Sequence, residues 1–324
     1  MSFWDDRLVL VTGGRGFLGK WVCKVLQERN VPLESIRAPS SKDADFRRWD
    51  DCVDLMEGID VVIHLAARDG GLGYNLTHPG SIYYDNAIMG LQLMEAARQA
   101  GVSKFVSAGS VCAYPQSAKI PLEESSLWAG YPDVSNAPYC LAKKMGLVQA
   151  QAYRKEYNFN AVHLLLTNMY GPGDVFDPIR SRSAASLIRK FVDAVQNDLP
   201  EVHMWGTGNA SREYLYVEDA AEAFVLAAER YNSSEPVNIG SGQETTMREM
   251  VDIIAKITGY EGSVVWDTSK PEGQMRRCSD VSRAEQEFGF QARTSLECGL
   301  RKTIEWYLQK TECLSIIHID RFRR

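Results

Sequence analysis

Two residues four positions apart have side chains that together could move a proton at a carbonyl oxygen. In SNAPYCLAKK, Tyr139 and Lys143 stand at i and i+4, so a helix would present both on one face. An ammonium group favours a neighbouring phenolate, so we expect Lys143 to lower the pKa of Tyr139 from its usual value of about 10. Ser110 ends a separate apolar run and could donate to the same oxygen. Such a pair also occurs in purely structural helices, so the prediction of acid–base chemistry depends on its surroundings.

A glycine-rich loop supplies those surroundings. The apolar run RLVLVT at 7–12 leads directly into GGRGFLG at 13–19, and a helical pattern follows. Glycines at this spacing permit positive φ and let the backbone approach a pyrophosphate at a helix N-terminus. This predicts a dinucleotide site, in which a nicotinamide would move a hydride while Tyr139 moves the proton. The predicted cofactor-binding residues are Gly13, Arg15, Gly16, Phe17, Leu18, Gly19, Arg37, Asp45, Phe46, Ala66, Tyr139 and Lys143.

The end of the second predicted strand favours NADP(H) over NAD(H). An acidic residue about 20 positions after the glycine loop usually binds the ribose 2′-hydroxyl, but this chain has IRAPSSK there. Arg37 and Arg15 could instead bind a 2′-phosphate through bidentate guanidinium contacts. Asp45 and Phe46 would suit the adenine edge. Each arginine alone could instead be a solvated surface residue, and an ordinary loop carboxylate would look the same as Asp45.

The apolar runs predict an α/β protein. RLVLVT, VVIHLAA, KFVSAG and AVHLLLT alternate with helical stretches, which is typical of strands buried on both faces of a parallel sheet. Thr246 and Glu249 form a capping-box pattern that predicts the start of a further helix. We expect a Rossmann-type doubly wound sheet over 1–172 and 206–259, with a smaller C-terminal α/β substrate domain over 173–205 and 260–324.

Composition narrows the possible partners and compartments. A net charge of -6 gives no basic excess for a nucleic-acid partner. Seven cysteines form an odd set without a C-x-x-C pair or a histidine at ligand spacing, so we expect neither a disulfide framework nor a metal site. We expect no secretory signal and no membrane span, because Met1 is followed almost at once by strand-like sequence and no apolar window is long enough. These features are consistent with a protein of the reducing cytoplasm.

Seven ordered motifs resemble one enzyme family over residues 5 to 310. They are GGRGFLG, AARDGGLGYNLTHP, GSVCAYP, YCLAK, TNMYGPGD, WGTGNASREYLYVED and KPEGQMRRCSDVSR. The chain thereby resembles the extended short-chain dehydrogenases that act on nucleotide sugars, and within them the GDP-L-fucose synthases. The resemblance implies NADPH-dependent reduction, with epimerisation, of a GDP-4-keto-6-deoxy sugar by a homodimer, and it puts Arg15 and Arg37 at the 2′-phosphate.

The resemblance also implies a role for Cys112, which matches the family's cysteine that exchanges protons at the carbons flanking the keto group. A thiolate is a competent base for this chemistry, although an inert buried cysteine is the alternative. Arg182 stands where the family has a histidine acid, and an arginine hardly gives up a proton at neutral pH. Arg182 could stabilise an enolate or favour the Cys112 thiolate, or the chain could have lost epimerisation. None of the histidines of the chain takes the place of the family's histidine acid, unless the His78 side chain extends into the site from its loop.

Further motif residues match those that face the sugar nucleotide in the family. Arginine side chains can pair with a diphosphate, and the glycines of GGLGYN could bring backbone donors to a sugar ring. A tryptophan here could equally belong to the core. The implied substrate-binding residues are Gly71, Asn75, Asn168, Trp205, Arg212 and Arg277.

Two other functions are consistent with parts of the sequence. A redox-neutral epimerase of the GDP-mannose 3,5- or UDP-sugar 4-type would keep NAD tightly bound. A non-catalytic protein could use the fold only to bind NADP. A 4,6-dehydratase is less consistent, because Val111 and Cys112 stand where that class carries an acidic pair.

Overall fold

The computed structural model describes residues 2–178, 180–270 and 274–321, with side chains except at 71, 72 and 312–321. In chain order, its elements are β1 (Val9–Thr12), α1 (Phe17–Glu28), β2 (Ile36–Arg37), α2 (Trp49–Leu55), β3 (Val61–His64), α3 (Gly71–Thr77), α4 (Pro79–Gln99), β4 (Lys104–Ser110), α5 (Ala137–Tyr157), β5 (Ala161–Leu166), β6 (Asn168–Tyr170), α6 (Ser183–Gln196), β7 (Glu201–Trp205), β8 (Ser211–Tyr216), α7 (Val217–Arg230), β9 (Val237–Ile239), β10 (Glu244–Thr246), α8 (Met247–Thr258), β11 (Ser263–Asp267), α9 (Ser282–Phe288) and α10 (Leu296–Arg321).

A six-stranded parallel sheet forms the centre of the molecule. Its strand order is β2-β1-β3-β4-β5-β9, and every neighbouring pair runs parallel. Every residue of β1, β3 and β5 is buried, as continuous apolar runs predict. The doubly wound α/β fold is therefore confirmed. The chain reverses its direction of winding between β1 and β3, and ligands bind at the carboxyl ends of the strands at such a point.

Helices cover both faces of this sheet. Helices α1, α7 and α9 pack with β1, β5 and β9 in one apolar cluster. Helices α2, α4 and α5 contribute to the clusters on the opposite side. Because both faces are covered, the sheet can present polar groups only at its ends, which is where a ligand can reach them.

The C-terminal part adds two small sheets. Strands β6, β8 and β10 form one, and β7 pairs with β11 in the other. Helices α6, α8 and α10 share an apolar cluster beside them, whereas α9 packs against β9. The division into 1–172 with 206–259 and 173–205 with 260–324 stays a prediction. By this division α8 belongs to the first part but packs with helices of the second, whereas α9 belongs to the second part but packs against β9.

The capping box predicted at α8 is confirmed. The Thr246 hydroxyl accepts from the backbone N–H of Glu249 at 3.1 Å, and the Thr246 N–H donates to the Glu249 carboxylate at 2.8 Å. Among the helices described, none combines the length and apolar character that crossing a membrane requires.

Candidate active site

The turn between β1 and α1 packs its backbone very close to neighbouring backbone segments. Gly13 has φ +69°, and a Cβ there would lie 2.9 Å from the backbone nitrogen of Ala66. A Cβ on Gly19 would overlap the carbonyl oxygen of Gly13. Helix α1 then starts after Gly16 with no side-chain cap, so its first N–H groups are left for another acceptor. This cradle fits a dinucleotide pyrophosphate.

A cavity of about 1520 Å³ opens at this carboxyl edge and extends to the C-terminal part. We call it the crevice. The predicted site residues that line it are Gly13, Arg15, Gly16, Phe17, Leu18, Gly19, Asp45, Phe46, Ala66, Asn75, Ser110, Cys112, Tyr139, Lys143, Asn168, Arg182, Trp205 and Arg212. Two others, Arg37 and Arg277, are not among the lining residues, and the side-chain position of Gly71 lies outside the described residues.

Arg37 points away from the crevice. Its guanidinium donates to the backbone carbonyl oxygens of Leu55 and Glu57, at 2.9 and 3.2 Å, where α2 ends. Free carbonyls at a helix C-terminus attract a cation, so the guanidinium has partners there already. Arg15 does line the crevice with a side chain that is 67% exposed, and its contacts with the Ala38 carbonyl oxygen at 3.2 Å and with Asp43 at 3.5 Å lie at the surface. Any 2′-phosphate contact predicted for the pair therefore depends on Arg15.

Two serines next to Arg15 were missed by the sequence analysis. Ser40 and Ser41 line the crevice directly after β2. The signal was present in APSSK, because hydroxyls that follow the second strand can donate to a phosphate. On the same side, Arg47 donates to Asp45 at 2.7 Å and lowers the pKa of that carboxyl to about 2. Asp45 is thus an ion-paired carboxylate at the edge of the crevice.

Helix α5 and strand β4 bring the predicted acid–base residues together. Tyr139 and Lys143 lie on one face of α5, with the lysine Nζ 5.9 Å from the centre of the tyrosine ring. Ser110 ends β4, and its Oγ accepts from the backbone N–H of Cys112 at 3.2 Å. All three side chains line the crevice, with Lys143 only 8% exposed. The geometry suits proton transfer to one substrate oxygen.

The predicted direction of the Tyr139 pKa is wrong for this structure. Burial raises the pKa of Tyr139, and the charge of Asp69 raises it further, while Arg182 opposes this. Burial also lowers the pKa of Lys143 to about 8, against the influence of Asp69. Desolvation disfavours both charged forms and is the largest cause of each shift. At neutral pH the phenol therefore carries its proton and Lys143 is mostly an ammonium, which suits proton donation.

Cys112 lies in a short 3-10 turn, Val111–Ala113, immediately after β4. Nη1 of Arg277 donates to its Sγ at 3.1 Å, and the same guanidinium is held by Gln274 at 2.6 Å. The thiol is half-buried, so the inert core alternative does not describe its position. A guanidinium at the sulfur can stabilise negative charge there.

Arg182 lies at the start of α6 and spans the crevice to the loop after β3. Its Nη2 is 3.1 Å from Oδ2 of Asp69. Burial opposes the charge of Arg182, but Asp174 and Asp69 raise its pKa. Arg182 is thus held as a cation and cannot donate a proton. His78 stacks on Tyr74 and is exposed, and it is not among the residues that line the crevice.

The side chains expected to face a sugar nucleotide lie toward the C-terminal part. Trp205 is 65% exposed, so the core alternative is wrong for it. Burial and the charge of Arg277 lower the pKa of Arg212. Nδ2 of Asn168 donates to the Glu213 carbonyl at 3.1 Å. Gly71 begins α3.

Two further polar residues of the crevice, Lys190 and Asp69, and one buried beside it, Asp174, were missed by the sequence analysis. Lys190 lines it from α6 and donates to the carbonyl oxygen of His203 at 2.7 Å. Asp69 lies within the quoted motif AARDGG, but its partner Arg182 is 113 positions away. Asp174, in TNMYGPGD, is buried beside Arg182. Within the described ranges, no group of three or more His, Cys, Asp or Glu side chains is placed to hold a metal ion.

The chain belongs to the NAD dependent epimerase/dehydratase family, whose model matches residues 9–240. It is 36% identical to GDP-L-fucose synthase 1 of Arabidopsis thaliana over 301 residues, which cover 93% of each chain. It is also 36% identical to GDP-L-fucose synthase of Escherichia coli strain K12, covering 97% of this chain and 98% of the relative. A crystal structure of a GDP-L-fucose synthetase from Naegleria fowleri bound to NADP matches with a TM-score of 0.86 at 27% identity, covering 96% and 97% of the two chains.

Gly19→Ala is expected to weaken NADPH binding at least about tenfold, because the added Cβ would displace the backbone of the turn. Fluorescence titration with NADPH measures this. Gly80→Ala on α4 is the matched control, since a Cβ there meets nothing within 4 Å. An affinity equal to that of the control would contradict the close approach of α1 to the turn.

Proposed function

We propose that this protein is an NADPH-dependent epimerase/reductase of a GDP-linked 4-keto-6-deoxy sugar. The observation that carries the proposal is the meeting of Tyr139, Lys143 and Ser110 in the crevice that starts at the glycine turn. Similarity to GDP-L-fucose synthases over nearly the whole chain supports the substrate class. The fold alone would not select this chemistry.

The glycine turn would hold the cofactor's pyrophosphate, and Arg15 with Ser40 and Ser41 would hold a 2′-phosphate. The close backbone approach at Gly13 and Gly19 supports the first contact, and the position of the three side chains supports the second. NADPH, when bound, supplies the hydride for the keto carbon.

Tyr139 would donate its phenolic proton to the C4 oxygen of the sugar. Ser110 would hold that oxygen through a hydrogen bond, since its hydroxyl ends β4 beside the same crevice. Lys143 would stabilise the phenolate that remains and return a proton to it. The raised pKa of Tyr139 keeps this proton in place until the oxygen gains negative charge.

Cys112 would remove protons from the carbons that flank the keto group. The Arg277 guanidinium 3.1 Å from its sulfur supports this role, because it compensates the charge of a thiolate. Arg182 would stabilise the enolate oxygen as a fixed cation, and water would return the proton. The Asp69 contact supports the assignment of Arg182 to charge stabilisation rather than acid catalysis.

The nucleotide part of the substrate would occupy the C-terminal end of the crevice. Arg212 and Arg277 would bind the diphosphate between them. Trp205 would pack against the substrate from β7, where its exposure leaves the ring available. Asn75 and Asn168 would contact the sugar, and the buried Oδ1 of Asn75 has no hydrogen-bond partner among the described residues.

We also propose that the protein acts in the cytoplasm as a homodimer. Helices α4 and α5 pack side by side and expose Tyr84 and Val148, which are 62% and 51% exposed. Covering such side chains would favour association. The free state of the described cysteines is consistent with a reducing compartment.

Light scattering should give the parent a mass of twice 36.3 kDa. Val148→Glu should give a single copy at the same concentration, because it would bury a charge in the interface. Leu199→Glu, at an exposed position near the end of α6, should leave the mass doubled. A parent that sediments or elutes as one copy would contradict the dimer.

Tyr139→Phe is expected to lower kcat for NADPH oxidation by the keto sugar by about 10²- to 10⁴-fold, since it removes the proton donor. NADPH affinity should change little. Tyr131→Phe, at a 60% exposed position, is the control and should keep full activity. Full turnover by Tyr139→Phe would exclude it as the acid.

Turnover in heavy water separates epimerisation from reduction. The parent should incorporate deuterium at the carbons flanking C4, and Cys112→Ala should incorporate none, because the base is gone. Cys298→Ala, on the exposed face of α10, should behave like the parent. A product of the parent without deuterium would show that the chain only reduces, and labelling that persists in Cys112→Ala would assign the base elsewhere.

A further inference from the structure

A small internal cavity lies on the far side of Lys143 from the crevice. It is enclosed by β3, β4 and β5 on one side and by α4 and α5 on the other, and its volume is about 20 Å³. That is room for one water molecule. Its polar lining residues are His64, Asn86, Ser107, Lys143 and His163, each at least nine-tenths buried.

The hydrogen bonds around His64 determine its tautomer. The Thr12 Oγ1 accepts from the backbone N–H groups of Ala66 and Leu65, both at 3.2 Å, the second of which is shared with the Thr12 carbonyl. This pattern favours donation of the hydroxyl proton to Nδ1 of His64, 2.8 Å away. A neutral ring that accepts at Nδ1 carries its proton on Nε2, so His64 offers a donor at that atom.

The opposite argument holds for His163. The Ser107 Oγ lies 3.1 Å from the Val162 carbonyl oxygen and 2.8 Å from Nδ1 of His163, and when its single proton goes to the carbonyl it accepts from Nδ1. Nε2 of His163 is then an unprotonated acceptor. In the described part of the chain, neither Nε2 atom has a hydrogen-bond partner. Burial, with a smaller influence of Lys143, lowers the pKa of each imidazole to about 3, so both stay neutral.

We propose that His64 and His163 hold one water molecule in this cavity, and that the water binds Lys143 from behind. The water accepts from Nε2–H of His64 and from the Lys143 ammonium, and it donates to Nε2 of His163. Three such bonds are typical of a buried water. The two histidines are positioning residues that act on Lys143 through the water, and the proposal rests on the proposed function only for the role of Lys143.

The arrangement serves Lys143 in both of its protonation states. When the Tyr139 phenolate takes a proton from the ammonium, a neutral amine with a free lone pair remains. The water can then turn one hydrogen toward that lone pair and keep its bonds to both imidazoles. In the amine state both hydrogens of the water have acceptors, and no proton moves onto the histidines.

The ionisable groups that face Lys143 come from several elements. Asp69 follows β3 and raises the pKa of Lys143, Tyr139 lies on α5 itself, and His64 and His163 face it from β3 and β5. Both imidazoles are neutral, and Asp69 lies on the crevice side. Losing the water would remove an acceptor from the ammonium and lower the pKa of Lys143 further.

Gly90→Ala on α4 tests the site without touching the crevice. A Cβ there would meet only Nε2 of His64, at 4.0 Å, and would take up room in the cavity. We expect the alkaline limb of kcat against pH to move down by about one unit, which is the effect of one hydrogen bond to a charged group. KM should change little, because Gly90 does not line the crevice. Gly80→Ala on the same helix should leave the limb in place.

Nitrogen-15 NMR of histidine-labelled protein tests the same site without catalysis. His64 should show the Nε2–H tautomer and His163 the Nδ1–H tautomer, with neither titrating between pH 5 and 9. Two identical tautomers would overturn the proposal, as would an unmoved alkaline limb in Gly90→Ala. If Tyr139→Phe is inactive while Gly90→Ala resembles the parent, the water site fails and the function stands. If Tyr139→Phe is fully active, the function fails and the tautomers decide the water site alone.

Discussion

Burial of the Lys143 ammonium is the constraint on which the site depends. A lysine that is 8% exposed loses most of its hydration, and burial lowers its pKa to about 8. The packing of helix α5 against β4 and β5 offsets the free-energy cost of burying the ammonium, and it fixes Lys143 at the carboxyl edge of the sheet. The same helix fixes Tyr139 one turn earlier. Proton transfer and the fold are therefore coupled through one helix.

The crevice joins the two parts of the molecule. Arg182, at the start of α6, contacts Asp69 after β3, and Arg277, from the segment before α9, contacts Cys112 after β4. In each contact one group comes from the large sheet and its partner from the C-terminal part. A bound sugar nucleotide would lie between these pairs, so changes in how the two parts meet would alter both epimerisation and reduction.

Local sequence patterns were sufficient for the sheet and for part of the site. Apolar runs identified the buried strands, the capping box located α8, and the i, i+4 spacing placed Tyr139 with Lys143. These features depend on neighbours within a few residues. Arg37 shows the limit, because its partners are carbonyls at the end of a helix 18 and 20 positions away. The raised pKa of Tyr139 likewise depends on desolvation, which only the packed structure determines.

The most direct test of hydride transfer to the keto carbon, with proton transfer to its oxygen, uses NADPH deuterated at the transferable C4 position of its nicotinamide ring. The label should appear at C4 of the sugar product by NMR, with one NADPH consumed for each sugar reduced. The proposed reductase would be contradicted if all the label stayed in the cofactor and the sugar product were an epimerised keto sugar, or no product formed. An epimerised keto sugar would favour a redox-neutral epimerase.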